Sequence, residues 1–103
     1  MAHCPYRQVV DIQALLAEIR KWPEIREVKP GVFYLGRTPF LHFHLKDGDR
    51  WADVRCGRDW APPITIPSSP TANERRRFLS AVVRCYKASS GSLTRKKRMH
   101  VTK

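Results

Sequence analysis

Phe40-Leu41-His42-Phe43-His44-Leu45, then Asp47-Gly48, then Trp51-Ala52-Asp53-Val54-Arg55 is the stretch that decides the fold. Alternating aromatic, aliphatic and polar residues mark half-buried strands, and Asp-Gly between two such runs is the strongest short hairpin signal. With Asp47 and Gly48 as the central pair of a type I′ turn, Lys46 faces Asp49, Leu45 faces Arg50, His44 faces Trp51, Phe43 faces Ala52, His42 faces Asp53 and Leu41 faces Val54. Side chains alternate between faces, so parity tests this register. Leu41, Phe43 and Leu45 fall with Ala52 and Val54, an apolar set suited to a core. Phe40, His42, His44, Trp51, Asp53 and Arg55 fall on the opposite face.

Upstream, Val32-Phe33-Tyr34-Leu35 reads as a further strand. Closing Gly36-Arg37-Thr38-Pro39 as a four-residue loop pairs Leu35 with Phe40, which sends Val32 and Tyr34 coreward and Phe33 and Leu35 to the histidine face. A bulge at Gly36 would reverse that assignment. Ile25–Lys29 makes a weak strand before Pro30-Gly31. Further upstream, Val9, Ile12, Leu15, Leu16, Ile19 and Trp22 recur at three and four residues, one stripe of a helix over residues 8–22 that Pro23 ends.

After Val54 a proline-rich loop containing Trp60, Pro62 and Pro63 leads to a short edge strand over Ile64–Ile66. A second helix begins near Thr71, where Thr71 and Glu74 have capping-box spacing. Phe78, Leu79, Val82, Val83 and Tyr86 form its apolar stripe, and Ala88-Ser89-Ser90-Gly91-Ser92 reads as its end. The chain thus divides into an extended lead-in over 1–7, one domain over 8–88, and a basic, disordered tail over 89–103. The expected architecture is α+β: a two-layer sandwich with an antiparallel meander of three to five strands and both helices on one sheet face. The other face stays open and carries an unusual load of aromatic side chains.

The chain of 103 residues has a net charge of +11, with more than half the excess from Lys87 onward. Such an excess favours polyanions through salt-sensitive attraction and fixes no specificity. The odd, widely spaced Cys4, Cys56 and Cys85 argue against a disulfide framework or zinc ribbon, so reduced thiols in a cytoplasmic protein are expected. No run has the length of a membrane span, and the N-terminus lacks the pattern of a secretory signal.

Pro39-Phe40-Leu41-His42-Phe43-His44, with Asp47-Gly48 and Ala52-Asp53-Val54, resembles a family of short bacterial proteins sharing a P-F-L-H-F-H…D-G…A-D-V core. It is more distantly similar to the small luciferase-like domain, which has a helix, a comparable strand set and an H-x-H strand. The likeness covers about residues 11–86 and implies a fold but no activity, cofactor or site.

Three functional readings follow from the residues. The open face, with Phe40, His42, His44, Trp51, Asp53 and Arg55, has the aromatic and arginine anchors of an interface centre, covered by a second copy of the chain or by the fold-back of Trp60 and its proline loop. Arg75, Arg76, Arg77 and Arg84 of the second helix, with Arg95, Lys96, Lys97 and Arg98 of the tail, offer nonspecific contacts to nucleic acid, although no known nucleic-acid motif is present. His42 and His44, two apart on one strand with Asp53 opposite His42, could share a transition metal, the one cofactor the sequence offers. No nucleophile stands in register with them, so binding is expected ahead of catalysis.

Overall fold

The computed structural model describes residues 9–101, with side chains through Ser90. A 3-10 turn over Val10–Ile12 runs into helix α1, Gln13–Arg20. Strands β1 (Ile25–Lys29), β2 (Val32–Leu35), β3 (Thr38–Lys46), β4 (Asp49–Cys56), β5 (Asp59–Trp60) and β6 (Ile64–Thr65) follow, and helix α2 spans Ala72–Val101. The sheet is an antiparallel meander in the order β1-β2-β3-β4-β5, with β6 also paired to β4. Both helices pack on one sheet face around a single core. Val9 and Ile12 at the 3-10 turn, Leu16 and Ile19 of α1, and Phe78, Val82 and Cys85 of α2 meet Leu41, Phe43, Ala52 and Val54 of the hairpin. No helix among the described residues is long and apolar enough to cross a membrane.

The β3–β4 hairpin has the register its turn dictates, from Lys46↔Asp49 to Leu41↔Val54 without a slip. Asp47 and Gly48 take φ of +52° and +84°, the left-handed pair a type I′ turn needs. The β2–β3 hairpin departs from expectation. Its turn is the two residues Gly36-Arg37, since Leu35 pairs with Thr38, and the partners of Phe33 and Tyr34 are Leu41 and Pro39, leaving Phe40 unopposed. That bulge turns Phe40 into the helical layer, where it is 1% exposed and stands edge-on to Tyr86 with ring centroids 6.1 Å apart. The bulge also fixes β2: Phe33 and Leu35 enter the core, and Val32, opposite His42, joins the histidine face with Tyr34. The expected faces of β2 are thus reversed, by a bulge at Phe40 and not at Gly36.

Helix α2 starts at a capping box: the Thr71 hydroxyl accepts the Glu74 N–H at 3.1 Å, and the Glu74 carboxylate accepts the Thr71 N–H at 2.8 Å. It does not stop at the serines. The Ser89 hydroxyl accepts the Gly57 N–H at 2.9 Å and donates to the Arg55 carbonyl at 3.1 Å, so a residue read as a helix terminator is a tie to β4. Serine costs a helix interior only a few tenths of a kcal/mol and glycine about 1 kcal/mol, and the helix runs on to Val101. The tail expected from residue 89 is therefore corrected to helix over that span. The extended lead-in expected over residues 1–7 lies outside the described residues.

A second tie closes the other end of the hairpin. Arg50 shares the parity of Ala52 and Val54, so it points toward the helices, and it is 2% exposed. Its guanidinium donates to both Asp11 carboxylate oxygens at 2.8 and 3.0 Å, and to the carbonyls of Ile66 and Pro67 at 3.1 and 2.7 Å. Asp11 also accepts the Ser69 N–H at 2.8 Å, holding Ser69 in the left-handed region at φ +47°. The Arg50 hydrogen bond is the main cause that keeps the Asp11 carboxyl below its usual pKa.

Candidate functional site: the open sheet face

Among the described residues the helices pack on one face of the sheet, and the strand register arranges the other face in rows. Val32, His42 and Asp53 lie side by side across β2, β3 and β4, and His44, Trp51 and Thr65 do the same across β3, β4 and β6. The side chains lie down on the sheet against one another. His44 stacks on Trp51 with centroids 5.3 Å apart and planes at 21°, and His42 meets His44 edge-on at 4.9 Å. Val32, beside His42 on this face, is only 6% exposed.

Asp53 is level with His42 along the strands, as expected, but its side chain goes to the other imidazole. Asp53 Oδ2 lies 2.9 Å from His44 Nε2, along the diagonal. The same ring stacks on Trp51, so His44 lies between the indole and the carboxylate. The metal reading of His42, His44 and Asp53 is corrected on this geometry: among the described residues no three His, Cys, Asp or Glu side chains converge to hold an ion.

Arg55 is on the open face, as expected, but it is engaged there. Its guanidinium donates to the carbonyls of Pro39 at 2.8 Å and Arg58 at 3.1 Å and lies 4.5 Å from the centre of the Trp60 ring. Trp60 therefore folds back on Arg55 and remains 44% exposed. The strands around the proline loop extend the sheet sideways along β4 and do not close over the histidines. Beside Trp51 a hollow of about 610 Å³ opens, lined also by Asp49, Arg50, Pro63 and Thr65. Phe40, expected on this face like Phe33 and Leu35 of β2, lies with them in the core instead, turned there by the bulge.

The remaining sequence candidates lie elsewhere. Arg75, Arg76, Arg77 and Arg84 are all exposed on α2, Arg75 donating to the Pro70 carbonyl at 2.6 Å and Arg76 to Asn73 Oδ1 at 2.7 Å. The side chains of Arg95, Lys96, Lys97 and Arg98 lie outside the described residues. Cys56 and Cys85 are neighbours between β4 and α2; burial first, and then Cys56, push the Cys85 thiol up to about 12, which makes it a poor nucleophile. The residue sequence reasoning missed is Arg50, and its parity with Ala52 and Val54 was the available signal. No family model, curated protein or solved structure matches this chain.

Proposed function

We propose that the protein works by binding, not by catalysis, and that its open sheet face is the contact surface, covered most simply by the same face of a second copy. The observation that carries this reading is the content of that face: Tyr34, His42, His44, Trp51, Arg55 and Trp60 gathered on the side of the sheet opposite the helical core. Aromatic residues and arginine in that density are the makings of an interface centre. Val10, Val28 and Trp60 are the large hydrophobic residues most exposed among the described residues, and two of them, Val28 in β1 and Trp60 in β5, stand at opposite lateral edges of this sheet. Electrostatics favour the arrangement as well. Sheet-to-sheet pairing places the arginine-rich outer side of α2 on the far side of each copy, where like charges repel least.

Sedimentation velocity at low micromolar concentration tests the reading. The wild-type chain should sediment as a dimer, and Trp51→Ala with Trp60→Lys should sediment as a folded monomer. A wild-type chain that remains a strict monomer rejects self-association on this face.

A further inference from the structure

The net charge is distributed far more unevenly than a total of +11 conveys. From Arg75 to the end of the chain there are ten lysines and arginines and no acidic residue, whereas residues 1–74 hold ten basic and nine acidic side chains. The excess is thus almost wholly a property of α2 and the residues after it. Along the described part of the helix, Phe78, Val82 and Cys85 are buried while Arg76, Arg77, Ser80, Arg84 and Lys87 are exposed. At 3.6 residues per turn those five fall in a sector of roughly 100° facing away from Phe78. The sole carboxylate on the helix, Glu74, is held in the capping box at its first turn. The result is a cationic ridge on the outermost surface of the helical layer.

We propose that this ridge binds the phosphate backbone of double-stranded nucleic acid without reading its bases. A row of arginines with no intervening acid is complementary to a line of phosphates, and the 30 residues of α2 make an element about 45 Å long. The duplex is favoured over a single strand by the fold itself. Single-strand binders combine cations with aromatic platforms, and here Trp51, Trp60 and Tyr34 lie on the opposite side of the molecule from Arg77 and Arg84. A membrane surface is disfavoured because an interfacial helix must insert an apolar face, and that of α2 is already packed on the sheet. This inference does not depend on the sheet face being an interface.

Fluorescence anisotropy with two duplexes of unrelated sequence, one DNA and one RNA, and with a single-stranded oligonucleotide, tests it across a salt series. Both duplexes should bind with affinities within about threefold and bind tighter than the single strand, with log K falling linearly in log salt. Arg77→Glu with Arg84→Glu should weaken duplex binding at least about tenfold and reduce the salt slope by about 2, while Lys46→Gln, which removes an exposed cation at the tip of the β3–β4 hairpin, leaves both unchanged. Should the charge reversal unfold the chain by circular dichroism, Arg77→Gln with Arg84→Gln takes its place, with the same loss of slope. Absence of duplex binding at low salt, preference for the single strand, an unchanged slope in the neutralised variant, or binding to phosphatidylserine vesicles but not to duplex would each overturn it.

Discussion

The two hairpins that share β3 are built on different terms. β3–β4 runs six pairs from its Asp47-Gly48 turn without irregularity, so each side chain faces where strict alternation puts it. β2–β3 turns at Gly36-Arg37 and then breaks step at Phe40, and from that point every side chain of β2 faces opposite to what a simple four-residue loop predicts. A turn sets where a register begins. A bulge decides which face it ends on.

The largest effect expected from breaking this comparison lies in the bulge. Phe40→Ala should destabilise the fold by about 3–5 kcal/mol in chemical denaturation, the cost of emptying a core site of that size, and a loss under about 1 kcal/mol would mean that Phe40 is a surface residue after all. The regular hairpin has its own buried anchor at the base of β4. Asp11→Asn should cost about 3 kcal/mol by leaving the Arg50 guanidinium buried without its carboxylate. The pH dependence has a definite sign: because the folded-state pKa of Asp11 is depressed, the contribution of the pair is complete above the ordinary carboxylate range and is lost as pH falls through the folded value. Wild type should therefore lose stability on acidification by more than Asp11→Asn does, as equilibrium unfolding across a pH series would measure.

A smaller effect is expected at the turn. Gly48→Ala forces a Cβ into the left-handed region at φ +84° and should cost about 1–2 kcal/mol, although no atom stands in its way. Thermal unfolding followed by circular dichroism would register it as a drop of several degrees. Smallest of all is the histidine face. Asp53→Asn removes the partner of His44 Nε2 on a half-exposed surface and should change stability by less than about 1 kcal/mol, a difference for a double-mutant cycle with His44→Gln to resolve.

Local chemistry explains why one hairpin could be read and the other could not. Asp-Gly states its turn type, and the alternation of Leu41, Phe43, Ala52 and Val54 confirms the register independently. Nothing local marks Phe40 as a bulge, because the ring it packs against, Tyr86, is on a different element. The candidate site divides likewise. His42, His44, Trp51, Asp53 and Arg55 were placed on the right face by parity, while the pairing of Asp53 with His44 depends on how Trp51 stacks, a choice among rotamers that strand periodicity does not encode. Ser89 misleads for a related reason: a serine's helix-ending tendency is overridden once its hydroxyl has a partner on β4.

The Arg50 tie bears on the order in which the chain acquires its structure. The β3–β4 ribbon needs only neighbours in sequence and can form while the polypeptide is still emerging from the ribosome. The Arg50 guanidinium beside its turn has no such independence, since its carboxylate is 39 positions behind it and its last carbonyl 17 ahead. Synthesis must therefore pass Pro67 before that cation has a complete set of acceptors. A nascent chain halted earlier holds the ribbon with the Arg50 charge beside its turn still lacking the Ile66 and Pro67 carbonyls, so the last of this residue's ties can be made only after the local ribbon.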